Sequence, residues 1–323
     1  MTDQAKQAPI VVGVDGSASA QAALDWAAAE ASAMRRALVI VHGFIWPLMR
    51  VPLGPSSIGP TDGGLQAAAD RILSDAEARA RLVAAPDATI TTVLAVGAAA
   101  PALLREAQHA ELLVVGSRGL GGFSGLLVGS VGVAVAAHAP CPVVVVRPYL
   151  EGAATPHAGR IVVGVDGSQL SAAAVSFAFQ RAARRKVRLV AVRAWSPPLS
   201  AYPELTLPLD RIEAAEHEKL LETIQPARRA FPEVDVETKL VCDHPGRALI
   251  EESAGAALVV VGSRGHGGFA GLLLGSVSQS VLEHASCPVA VVRPTERNAE
   301  RTAGQAHRAA PQSLEQATAR EDS

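Results

Sequence analysis

Short apolar runs recur along the chain, each followed by a longer stretch rich in alanine. In the first half the runs are 10–15, 37–45, 88–96, 111–116 and 142–147, and nearly every position in them is apolar rather than every second one. Continuous apolar strands are expected where helices cover both faces of a sheet. The intervening stretches 17–35, 64–84, 100–109 and 129–138 read as helices. Ser17 or Ser19 can cap the first of them, which carries Ala22, Leu24, Trp26, Ala27 and Met34 as a packing face. Strand, helix and strand in alternation predict βαβ units and a parallel sheet.

The pattern occurs twice. Ile10–Ser17 (IVVGVDGS) returns as Ile161–Ser168, and ELLVVGSRGLGGFSGLLVGS from Glu111 is matched by ALVVVGSRGHGGFAGLLLGS from Ala257. Strands are again expected near 161–166, 187–194, 234–241, 257–262 and 288–293. A repeat this long describes whole domains rather than a solenoid. The expected organisation is an N-terminal tail (1–9), a first domain (10–148), a linker (149–159), a second domain (160–295) and a disordered tail (296–323). Each domain is expected to be a doubly wound α/β sheet of five parallel strands in the order 3-2-1-4-5. The Pro-, Gly- and Ser-rich segments 47–63 and 196–208 follow the second strand of each copy, where they would act as rims or lids.

Hydrophobic residues make up 49% of the chain and aromatic ones only 3%, so alanine and valine must carry the packing. A net charge near −2 offers no basic face for nucleic acid. The start, MTDQAKQAP, lacks the apolar core of a signal peptide, and no uninterrupted apolar run is long enough to span a membrane. A soluble, cytoplasmic protein is expected. Cys141 and Cys287 occupy matching places before a proline and a valine run, which favours small buried residues over a redox or metal pair.

In a sheet ordered 3-2-1-4-5 the loops after strands 1 and 4 flank the switch point, where α/β proteins bind ligands. This places Asp15-Gly16-Ser17 beside the loop Gly116–Ser130, and Asp166-Gly167-Ser168 beside Gly262–Ser276. Gly116 and Gly119 would permit positive φ and close approach to an oxyanion. Gly129-Ser130 opens a helix whose N–H groups and hydroxyl suit both a cap and a phosphate. Arg118 and Arg264 are phosphate partners or solvated charges; Asp15 and Asp166 are metal or ribose ligands or simple turn formers. No GxxxxGK[ST] loop, GxGxxG after the first strand or GxSxG elbow is present. His138 and His284 end helices and read as dipole partners rather than bases.

Together VVGVDGS, GSRG followed after nine intervening residues by GS, and CPVVVVRP resemble the universal stress protein family in its tandem ATP-binding form, similar to mycobacterial and other actinobacterial members. The resemblance implies a Rossmann-like, adenine nucleotide alpha hydrolase-like fold and one ATP per domain, with Mg2+ at Asp15 and Asp166. It implies phosphate contacts from Gly116, Ser117, Arg118, Gly119, Leu120, Gly121 and Gly122 with Gly129, Ser130 and Val131. In the second copy these are Gly262, Ser263, Arg264, Gly265, His266, Gly267 and Gly268 with Gly275, Ser276 and Val277. The exits Gly13-Val14-Asp15 and Gly164-Val165-Asp166 would line the site, and the main chain at Val41 and Val192, ending strand 2, would meet adenine. The family pairs through its last strand, here 142–147 against 288–293, giving an internal pseudo-dimer beside which a homodimer is possible. The function implied is a regulatory sensor in stress or growth control acting on a protein partner. Slow Mg-dependent ATP hydrolysis, or a nucleotide-using transferase, is the alternative. The strand-2 exit of the second copy, Arg193-Ala194-Trp195, differs from Val41-His42-Gly43, so the second adenine pocket is expected to differ in affinity.

Overall fold

The computed structural model describes residues 8–44, 64–119, 127–148, 159–196, 209–265 and 273–293. The expected rim loop 47–63, all but the first residue of 196–208, nearly all of the linker and the whole C-terminal tail lie outside these residues. The first half runs β1 (Ile10–Gly13), α1 (Ala18–Met34), β2 (Leu38–Phe44), α2 (Gly64–Val83), β3 (Ile90–Val96), α3 (Ala99–Ala107), β4 (Leu112–Gly116), α4 (Ser130–His138) and β5 (Val143–Val146). The second runs β6 (Ile161–Gly164), α5 (Gln169–Arg185), β7 (Leu189–Trp195), α6 (Leu209–Ala230), β8 (Val236–Cys242), α7 (Pro245–Glu252), β9 (Leu258–Gly262), α8 (Ser276–His284) and β10 (Val289–Val292).

All ten strands form one sheet, ordered β3-β2-β1-β4-β5-β10-β9-β6-β7-β8. Within each half the order is the expected 3-2-1-4-5 and every pairing is parallel. The halves meet where β5 and β10 pair antiparallel, with Ala290 opposite Val144. The last strands therefore join within one chain, as the resemblance implies.

Alternate strand residues feed two cores, one on each face. Val12, Val144 and Ala290 join the core beneath α1, α2, α5 and α6, whereas Val11, Val145 and Val291 join the one beneath α3, α4, α7 and α8. Both cores run through both halves. With each buried valine or leucine side chain stabilising by about 1.5–3 kcal/mol, the scarcity of aromatics is no handicap.

Cys141 and Cys287 are buried at the entries to β5 and β10, and Cys242 is exposed at the end of β8. Burial pushes the Cys287 thiol up to about 12. At pH 8 it therefore holds almost no thiolate, the reactive form. A thiol reagent should then modify Cys242 in the folded chain and reach Cys141 and Cys287 only on unfolding, as peptide mass spectrometry can follow. Labelling of Cys287 at the rate of Cys242 would contradict its burial.

Candidate functional site

Strand β1 stops two residues earlier than its apolar run predicts, because the chain must turn into α1. Val14 N–H still bonds the Val41 carbonyl at 2.9 Å, and then Gly16 takes φ +86°. Asp15 Oδ1 accepts from Ser17 N–H (2.9 Å), and Ser17 Oγ caps α1 by accepting from Ala20 N–H (3.2 Å). The second copy repeats this turn: Asp166 Oδ1 accepts from Ser168 N–H (2.8 Å), Gly167 has φ +86°, and Ser168 Oγ accepts from Ser171 N–H (3.1 Å). Of the two serines considered as caps, Ser17 takes the role. Ser19 is buried and accepts from Arg118 N–H at 3.1 Å, which ties the start of α1 to the glycine turn.

The glycines of that turn serve close approach rather than positive φ. Gly116, Gly119, Gly262 and Gly265 have no left-handed backbone; Gly16 and Gly167 do. A Cβ on Gly116 would stand 2.7 Å from the main-chain carbon and oxygen of Ser19, and one on Gly119 would stand 2.5 Å from Asp15 Oδ2. Gly265 stands in the same relation to Asp166, again at 2.5 Å. The two loops are thus brought together at both switch points, and each aspartate both forms its turn and faces the glycine motif.

Gly129 and Gly275 are the N-caps of α4 and α8, and Ser130 and Ser276 are the first helical residues rather than caps. Gly129 N–H donates to the Ser117 carbonyl at 2.7 Å and Gly275 N–H to that of Ser263 at 2.8 Å, which fixes each helix start under the turn. The first helical N–H groups have no carbonyl one turn back and face the cleft with a positive end of the helix dipole.

One cavity of about 480 Å³ opens at each switch point. The first is lined by Gly13, Val14, Asp15, Val41, Gly116, Arg118, Gly119, Gly129, Ser130 and Val131, with Leu103 and Val115 on its apolar side. The second is lined by Gly164, Val165, Asp166, Val192, Gly262, Arg264, Gly265, Gly275, Ser276 and Val277, with Leu249 and Val261. Ser117 and Ser263 are buried just behind the walls. Leu120, Gly121, Gly122, His266, Gly267 and Gly268 lie outside the described residues.

Arg118 and Arg264 are exposed at the mouths, and neither has a carboxylate partner among the described residues. Behind them stand Arg147 and Arg293. Burial, then repulsion from Arg118, holds Arg147 below its ordinary pKa; burial, then Arg264, acts likewise on Arg293. Arg147 Nη2 donates to the carbonyls of Leu282 (2.7 Å) and Glu283 at the end of α8, so its charge is held by main chain rather than directed at the cleft. No group of three or more potential metal ligands occurs among the described residues, so a cation there would rest on one aspartate and the ligand's own oxygens.

Val41 and Val192 line the cavities but lie inside β2 and β7 rather than at their ends, and their carbonyls accept from Val14 and Val165 N–H at 2.9 Å each. Strand register also corrects the comparison of the two exits: Gly13 pairs Val41 and Gly164 pairs Val192, so Arg193 answers to His42 and Ala194 to Gly43. His42 Nδ1 contacts the Val14 carbonyl at 2.8 Å, whereas Arg193 pairs with Glu216 of α6 at 2.6 Å. At the cavity wall Gly43 and Ala99 are replaced by Ala194 and Pro245, Ala20 by Ser171, and Gly132 by Ser278. Ser278 Oγ is within hydrogen-bond reach of the carbonyls of Ser263 (3.0 Å) and Gly275 (2.9 Å). Gly43 and Ala194 belong to the strand-2 exits already expected to differ, whereas Ala20, Ala99 and Gly132 and their counterparts Ser171, Pro245 and Ser278 belong to no motif. His138 and His284 bond carbonyls one turn back at 2.9 and 3.0 Å, in keeping with a helix-end role.

The universal stress protein family model matches residues 8–147 and 157–293. Universal stress protein Rv2623 of Mycobacterium tuberculosis is 38% identical over 288 residues, which is 88% of this chain and 96% of that protein. Universal stress protein Mb2028c of Mycobacterium bovis is 35% identical over 298 residues, 91% of this chain and 99% of its own. Among solved structures, a universal stress protein from Archaeoglobus fulgidus shares the fold with a TM-score of 0.62 at 17% identity, covering 88% of this chain and 98% of that one. A putative universal stress protein from Pseudomonas aeruginosa gives 0.57 at 18% identity, covering 94% and 98%. No helix among the described residues is long and apolar enough to cross a membrane. With two matches spanning both halves, and relatives of the same tandem build, this chain belongs to the universal stress protein family.

Proposed function

We propose that each half binds one ATP at its switch point and that occupancy, rather than turnover, is what the protein reports to a partner in stress or growth control. Family membership supports the stress-related regulatory role. The observation that carries nucleotide binding is the glycine turn held against an aspartate and a helix start: a Cβ at Gly119 or Gly265 would occupy the space in front of Asp15 or Asp166. A backbone cradle of this kind, beside a helix N-terminus and an arginine with no carboxylate partner among the described residues, suits a polyphosphate.

In this reading the phosphates lie against Gly116–Gly119 and the first turn of α4, with Arg118 at the mouth. Asp15 serves a ribose hydroxyl or shares Mg2+ with the phosphates. The apolar side by Leu103 and Val41 takes the base. Gly262–Gly265, α8, Arg264, Asp166 and Leu249 act likewise in the second half. A single carboxylate already committed to a turn makes a poor general base, which supports occupancy over hydrolysis as the working mode. A cytoplasmic site of action is part of the same reading.

Isothermal titration of the nucleotide-free chain with Mg-ATP is expected to show two sites with resolvable affinities, because the walls differ at Gly43/Ala194 and Ala99/Pro245. Mass spectrometry of the denatured, freshly purified protein should release adenine nucleotide. A chain that neither carries nor binds nucleotide would overturn the reading.

A further inference from the structure

The two halves carry the same fold but opposite charge where they meet. Counted from the caps Ser17 and Ser168, Glu30 of α1 and Arg181 of α5 occupy the same helix position, as do Met34 and Arg185. These residues face each other across the join between halves. Arg181 Nη1 bonds Glu30 Oε1, and Arg185 Nη2 bonds Glu30 Oε2. All are buried, with side chains 2% (Glu30), 1% (Arg181) and 6% (Arg185) exposed. The aromatic rings at another shared position complete the contact: Arg181 lies over Phe177 at 4.6 Å and Arg185 over Trp26 at 5.3 Å. A second acid of the first half, Glu111, also acts on Arg181 while paired to Arg36 at 3.6 Å; its counterpart in the second half is Ala257. Burial and the neighbouring arginines pull Arg181 below its ordinary pKa, and the acids oppose them.

Strands β5 and β10 cannot by themselves distinguish one half from the other. Both are valine-rich, and antiparallel pairing would serve two copies of either. The helices above them can. Two first halves joined in this way would bury Glu30 against Glu30; two second halves would bury four guanidinium groups. Like charges without water or counter-charge are strongly disfavoured.

We infer that Glu30, Arg181 and Arg185 form a pairing code that makes the strand-5 edge of each half accept only its complementary half. A like half in a second copy of this chain is rejected there. The device is one of partner choice rather than of net stability, since a buried ion pair seldom outperforms a well-packed apolar contact.

Four full-length chains test this. An all-acidic chain (Arg181→Glu with Arg185→Met) and an all-basic chain (Glu30→Arg with Met34→Arg) give both halves the same pattern. The exchanged chain carries all four changes. The wild type is the reference. The one-sided chains should lose on the order of 10 °C in Tm. The exchanged chain should recover most of that loss, because the pair is restored in mirror image. Mixed in equal amounts, the all-acidic and all-basic chains should form a two-chain species containing one of each by native mass spectrometry. If the one-sided chains do not fold, the exchanged chain alone decides, since its folding requires the reversed pair. Wild-type stability in the one-sided chains, an exchanged chain no better than they are, or self-pairing in place of mixed pairing would each overturn the code.

Discussion

Replacing Gly119 with glutamate should abolish one of the two nucleotide sites and leave the other untouched; Gly265→Glu should do the converse, and the double variant should bind none. The expectation rests on space and charge together. A Cβ at either glycine stands 2.5 Å from an aspartate oxygen, and the added carboxylate continues into the space proposed for phosphate. Two like charges about 4 Å apart near a protein surface repel by about 4 kcal/mol at an effective dielectric of 20. Even a partial share of that lowers affinity by about 100-fold or more. Alanine is the informative control. Its single methyl meets only the end of the Asp15 side chain, which can swing away, so Gly119→Ala should cost less than about 10-fold. Both glycines are exposed, and Tm should stay near wild type without ligand. Calorimetry counts the sites. Two sites surviving in the double variant would remove the cradle from the binding reading.

Much of this site is legible in the chain because duplication shows which residues travel together. Asp15-Gly16-Ser17 and the Gly116–Ser130 loop are distant in sequence, yet the βαβ rhythm fixes the strand order, and the strand order places them side by side. What escapes is set by register and by contacts. The exits of β2 and β7 appear offset by one residue until the pairings Gly13–Val41 and Gly164–Val192 align them. The role of Gly116 is invisible in a motif, because it depends on the main chain of Ser19 crossing 2.7 Å away. Helix ends also mislead: α1 and α5 stop on left-handed Arg35 and Lys186 (φ 51° and 53°), where a glycine signal would be sought. The Glu30–Arg181 pair escapes for another reason. Neither residue belongs to a repeated motif, and only the β5–β10 join brings α1 and α5 together.

Truncating Trp26 to alanine should destabilise the whole chain, not only its first half. Trp26 is 1% exposed, lies on α1, and belongs to a core that continues through Val144 and Ala290 into Phe177 and Phe179 of α5. Removing a buried indole costs about 3–5 kcal/mol, because the cavity collapses only in part. Here the loss includes the ring beneath the Arg185 guanidinium. At about 2–4 °C per kcal/mol, typical of somewhat smaller domains, Tm should fall by roughly 10 °C. A shared core and an unbroken sheet mean that neither half can lose its packing at the join without exposing apolar surface of the other. Calorimetry should therefore show one transition that moves as a unit, with circular dichroism and the Cys287 labelling rate tracking it together. Cys287 sits in the second half on the opposite face of the sheet, so its earlier exposure in Trp26→Ala would report the coupling directly. Two resolved transitions with only the lower one shifted would mean that the halves fold independently and the common core transmits nothing between them.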